Sequence, residues 1–166
     1  MPSLSELIQK YSRFYAAITN ALETEVAEVM KTAVTDAALL RVYEVYSPEF
    51  LSRRDPMYGG GETRASRAGG GITDRESVNI TVSGTELTAS DDAGWQHLWG
   101  GQYPSGRLAD AIATGDPSFN MGRAGPRPFH DTAERIAIDS GAVSQALQAG
   151  LNRQGFDVSG GTINIT

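Results

Sequence analysis

The N-terminal segment of the chain places the strongest constraint on its fold. From Leu4 onward, apolar side chains return every three or four residues, at Leu7, Ile8, Tyr11, Phe14, Tyr15, Ile18, Leu22, Val26, Met30 and Val34. That period gathers them on one stripe of an α-helix. Ser3-Leu4-Ser5-Glu6 has the form of a capping box, which fixes where the helix starts. Running unbroken to Ala37, such a helix would be about 50 Å long. A compact domain of this size is narrower than that. Either the helix bends near Thr19-Asn20, or part of its stripe is covered by another subunit.

The rest of the chain divides by changes of period and by glycine. Residues 39–51 are expected to form a strand and turn, because Leu40, Val42 and Tyr46 alternate with Arg41, Tyr43 and Val45 before Pro48. Residues 52–76 carry two triple-glycine runs and no periodicity, so the expectation is a long flexible loop. Arg53, Arg54, Arg64, Arg67 and Arg75 fall in that stretch, partly offset by Asp55, Glu62 and Asp74.

Residues 77–90 predict a hairpin, with Val78, Ile80 and Val82 alternating before a Ser83-Gly84 turn. Residues 91–125 form an aromatic connection holding Trp95 and Trp99, then a short helix from Arg107 to Thr114 closed by Gly115. Arg127-Pro128-Phe129 opens a helical region over 126–155, in which Gly141 marks a kink or restart. Residues 156–166 end in Thr162-Ile163-Asn164-Ile165-Thr166, a strand by composition that is expected to pair with a sheet edge, its own or a neighbouring subunit's. The expected fold is therefore α+β. A small, mainly antiparallel sheet is packed by a long N-terminal helix and a C-terminal helical region, with long Gly-rich loops, in a single domain.

Composition excludes several functions. Twenty acidic residues against fourteen basic ones give a net charge of −6, the wrong sign for a protein that neutralises phosphates. The absence of cysteine removes disulfides, thiolate metal sites and cysteine nucleophiles. No apolar run approaches the roughly 20 residues that span a bilayer, and the N-terminus has no apolar signal core, so no membrane partner is expected.

Enzyme motifs are equally scarce. His97 and His130 are too far apart in sequence for paired metal-ligand spacing, and Asp91-Asp92 lacks the spacing of a calcium loop and reads as a solvated turn. Neither a nucleophile elbow nor a phosphate-binding loop with its lysine is present. The expectation is no catalytic residue, no cofactor and no metal.

What remains are candidate contact residues. The arginines Arg53, Arg54, Arg64 and Arg67 would either be solvated or settle on an acidic neighbour. Trp95 and Trp99 suit core packing first and an interface second. Arg127, Ile163 and Ile165 are placed to meet a partner, whereas Phe129 reads as a core plug fixing the last helical region.

The order of these segments resembles the minor structural proteins of tailed bacteriophages in the tail-completion and head–tail joining (neck, tail terminator) family. The resemblance rests on the long first helix, Tyr46-Ser47-Pro48 with Arg53-Arg54, Gly70-Gly71-Ile72 ahead of Val78 to Val82, Ile112 to Gly115, and Arg127-Pro128-Phe129. The Gly-rich loop and the terminal strand depart from it. Members of that family are α+β subunits that assemble as rings, commonly hexamers, in the virion tail or neck after synthesis in the host cytoplasm. The resemblance implies as partners further copies of the chain, the tail-tube protein, and a head connector or head-closure protein. DNA would pass through the lumen without specific binding, which an acidic wall favours. A head-closure or minor capsid protein is the alternative within the same virion. An unrecognised binding protein or hydrolase is the alternative outside it.

Overall fold

The computed structural model describes residues 3–44, 72–92, 95–96, 102–103, 107–115, 125–159 and 162–164. Its chain falls into two compact units. The first comprises Met1–Met30, Ile80–Thr88 and Ala137–Thr166, the second Lys31–Asn79 and Ala89–Ile136.

The N-terminal helix begins as the capping box requires. The Ser3 amide donates to Glu6 Oε2 at 2.6 Å, and the Glu6 amide donates to Ser3 Oγ at 3.3 Å, so two amides at the helix start are satisfied. Helix α1 spans Leu4–Ala21, a π-helical turn occupies Leu22–Val26, and α2 spans Ala27–Ala38. The expected interruption near Thr19-Asn20 is thus a wide turn two residues further on. A π turn inserts one extra residue per turn and rotates the stripe that follows it.

A second π-helical segment, Leu39–Glu44, overturns the strand expected over 39–46 as far as Glu44; residues 45–51 lie outside those described. Val34, Ala38 and Val42 stand four residues apart and are all buried, so a helical face continues where alternation had been read. Four-residue spacing satisfies a period of two as well, and a helix already formed is extended without a new nucleus. From this segment the Arg41 Nε donates to Thr132 Oγ1 at 3.0 Å.

The hairpin forms as expected, with strand β1 at Val78–Ser83, strand β2 at Glu86–Asp91, and a two-residue connection that only antiparallel strands admit. Gly84 in this turn has φ +65°, a conformation that disfavours other residues. Alternation is kept: Val78 is buried and Ile80 and Val82 half-buried, while Asn79, Thr81 and Ser83 are exposed. At its open end the Asp92 amide donates to the Ser77 carbonyl at 2.7 Å.

Two expectations at the rims of this hairpin are corrected. Asp91 is buried as the last residue of β2 rather than lying in a solvated turn. The C-terminal end of the expected loop over 52–76 is ordered: Ile72 is buried, Arg75–Ser77 form a 3-10 turn capped by the Asp74 side chain, and Arg75 Nη1 donates to Thr32 Oγ1 at 2.9 Å. One apolar residue among glycines anchors the segment, a signal that composition averages away.

Short elements make up the rest of the described residues. Strands β3 (Trp95–Gln96) and β4 (Gln102–Tyr103) pair antiparallel with Trp95 opposite Tyr103, inside what reads in sequence as a connection. Helix α3 is Arg107–Thr114, α4 is Phe129–Asp139 and α5 is Ala142–Arg153. Gly141, at φ +70°, separates the last two as expected. Strands β5 (Asp157–Ser159) and β6 (Thr162–Asn164) form an antiparallel pair that places Ile163 opposite Val158. The terminal strand therefore pairs with a strand of its own chain, a partner too short to show a period in sequence.

In the first unit α5 packs on α1 and the π turn, and also on β5. Ala17, Leu151 and Phe156 form its core, flanked by Phe14, Ile18, Leu147 and Val158. Gly150 lets the helices approach: a Cβ there would lie 2.5 Å from the Ala21 Cβ and 2.7 Å from Glu25 Oε2. In the second unit the buried apolar residues include Val34, Ala37, Val42, Ile72, Ile112 and Phe129.

Candidate assembly face

The stripe on α1 is only partly used. Phe14, Ala17, Ile18 and Ala21 turn toward α5 and Phe156, and the Phe14 and Phe156 rings meet edge-on with centroids 5.4 Å apart. The remainder of the stripe faces solvent: Leu4 is 74% exposed, Ile8 57%, Tyr11 64% and Tyr15 52%, with Leu7 at 38%. These side chains lie on consecutive turns of one helix, so they form a continuous apolar strip rather than scattered residues. Contiguous exposed apolar surface of this kind marks a contact site in a soluble protein.

The surroundings hold the strip in place. Thr19 Oγ1 donates to the Gly84 carbonyl at 3.1 Å, bringing the hairpin turn onto α1. A Cβ on Gly84 would stand 2.5 Å from the Tyr15 hydroxyl, so that ring lies against the turn. On another side of the helix, the Arg13 guanidinium sits 5.8 Å from the Phe156 ring centroid.

A polar cluster fixes the π turn against α5. Arg153 Nη1 stands 2.8 Å from Glu25 Oε1, and Arg153 Nη2 donates to Thr24 Oγ1 at 3.2 Å. The Thr24 hydroxyl also donates to the Glu25 carboxylate, and this bond, ahead of the nearby arginine, holds that carboxyl below its ordinary pKa. Arg153 is more than half exposed, so the ion pair adds little stability by itself.

The Arg127-Pro128-Phe129 motif acts first on its own chain. The Arg127 amide donates to the Ile112 and Ala113 carbonyls at 3.2 and 3.1 Å, satisfying the open end of α3. Gly115, at φ +73°, makes room for this crossing, since a Cβ there would meet the Pro126 nitrogen at 2.6 Å. Arg127 is half-buried and Phe129 is fully buried at the start of α4. His130 stacks beside Phe129 with ring centroids 4.1 Å apart. Burial lowers the pKa of that imidazole, against the pull of Asp110 and Asp131.

Of the other candidate contact residues, Arg53, Arg54, Arg64, Arg67, Trp99 and Ile165 lie outside the described residues, as does His97. Trp95 and Ile163 sit in the short pairs β3–β4 and β5–β6. The exposed strip on α1 is absent from the sequence-derived candidates. Its signal was the excess length of the helix, which left a bend or a covering subunit as alternatives and named no positions for the second.

The chain belongs to the YomN family, which it matches over residues 3–153. That membership points to a phage-related protein and assigns it no place in a particle. No curated protein and no solved structure matches the chain.

Proposed function

We propose that the chain is a structural subunit of a phage particle that forms a ring at the head-proximal end of the tail, ending the tail tube and joining it to the head connector. The observation that carries this reading is the apolar strip from Leu4 to Tyr15, held on a capped helix and exposed in the single subunit. A subunit that keeps such a surface open is one whose burial is completed by another chain. Membership of a phage-related family and the order of elements described above support the same role. The net charge of −6 suits a ring around passing DNA, because an acidic wall repels the phosphate backbone.

Deleting the gene from the phage or prophage that carries it tests the role. The expected products, seen by electron microscopy, are DNA-filled heads and separate tails, with tails of abnormal length if termination is lost. Infectious, fully joined particles from the deletion would rule the role out.

A further inference from the structure

The exposed strip on α1 has an internal symmetry that selects one kind of occupant. Leu4, Ile8, Tyr11 and Tyr15 are spaced four, three and four residues apart, a pattern that reads the same from either end. We propose that this strip is a self-pairing surface: two copies of the chain lay their α1 helices antiparallel, Leu4 of each against Tyr15 of the other and Ile8 against Tyr11, about a two-fold axis between Ile8 and Tyr11.

Three observations carry the pairing. The register sets an aliphatic side chain against an aromatic one at Leu4–Tyr15 and Ile8–Tyr11, with Leu7 at the flank beside Ser12, so large apolar side chains meet along the seam.

The strip is also free of charge, although the chain carries a net charge of −6. By helical spacing Glu6, Lys10 and Arg13 fall on other sides of α1, and the neighbours on the open flank of the strip are Ser5 and Ser12. A two-fold contact sets one surface against the same surface, so a strip of one charge sign would be opposed by its own copy. This face carries no such charge.

The area is adequate as well. At the exposures of the five side chains, about 570 Å² stands open per copy, taking ~200 Å² for a fully exposed large side chain. Two copies together then reach about 1,100 Å², just above the roughly 1,000 Å² that a specific interface should clear. Tyr15, held against the hairpin turn, is already placed for the contact.

A two-fold contact closes on two copies and cannot propagate round a ring. The pair is therefore the state of the protein away from the particle, and where the ring draws on the same strip it replaces the pair.

The test uses the full chain, which has no native cysteine. Native mass spectrometry should show a dimer that Ile8→Glu converts to monomer. Position 8 is more than half exposed, so the circular dichroism of that variant should stay unchanged. A Leu4→Cys chain mixed with a Tyr15→Cys chain and oxidised should yield the mixed disulfide at least tenfold over either homodisulfide. A monomeric wild-type chain, a dimer indifferent to Ile8→Glu, or a predominance of homodisulfides would each overturn the pairing. None of those results bears on the deletion phenotype, so failure of the pair and failure of the ring reading remain distinguishable.

Discussion

Gly150 is a helical residue at which a single methyl group has much to disturb. Alanine is the better helix former by about 1 kcal/mol, yet its Cβ would overlap the Ala21 Cβ and the Glu25 carboxylate. Gly150→Ala should therefore lower stability, by about 1–3 kcal/mol as in other overpacked contacts, measured as a fall in the urea midpoint at unchanged slope. Phe129→Ala acts by the opposite route, emptying a fully buried site, and should cost roughly 3–5 kcal/mol in the same assay. His130 gives the fold a pH response. Its folded pKa is depressed from 6.5 by burial, so its contribution is complete above that pH and is lost as pH falls through the lower, folded value. Thermal melts should show a decline on acidification below 6.5 that His130→Gln reduces. Glu6 and Glu25, depressed from 4.5 mainly by hydrogen bonds from Ser3 and Thr24, give a separate loss as pH falls below 4.5.

Among the elements, those with local punctuation were legible in the sequence. The capping box placed the start of α1, and Gly115 and Gly141 placed the ends of α3 and α4. The Gly84 turn placed the hairpin, because each of these rests on chemistry within a few residues. The strand expected over 39–46 gives way to helix as far as Glu44 because Val34, Ala38 and Val42 make a helical face whose four-residue step also satisfies alternation. The pairs β3–β4 and β5–β6 were missed because two or three residues carry no period. The π turn at Leu22–Val26 was foreseen only as a bend; Ala21 and Glu25, at this turn, stand close to Gly150, more than a hundred residues away. The exposed strip was hidden for the same reason, since sequence shows a stripe without showing which part α5 covers. Arg127 separates local from long-range roles. Its amide closes α3, so Arg127→Pro should destabilise the protein more than Arg127→Ala, which keeps both hydrogen bonds. Equal unfolding midpoints for the two variants would contradict that assignment.

For the whole molecule, family membership and an unburied helical strip point to a chain that finishes its burial in an assembly. Two contacts of different symmetry are then expected. One is the two-fold pair of α1 helices in the free protein, and the other is the set of ring contacts in the particle. Exchange of the first for the second would keep the strip covered throughout assembly. The most direct test of the particle role is cryo-electron microscopy of the virion neck, reconstructed with the symmetry of the junction. The expected density is a ring of copies between the head connector and the first tail-tube ring, each copy fitted by the α1–α5 pair and the β1–β2 hairpin. Absence of this chain from the particle, or its placement in the capsid shell, would contradict the account.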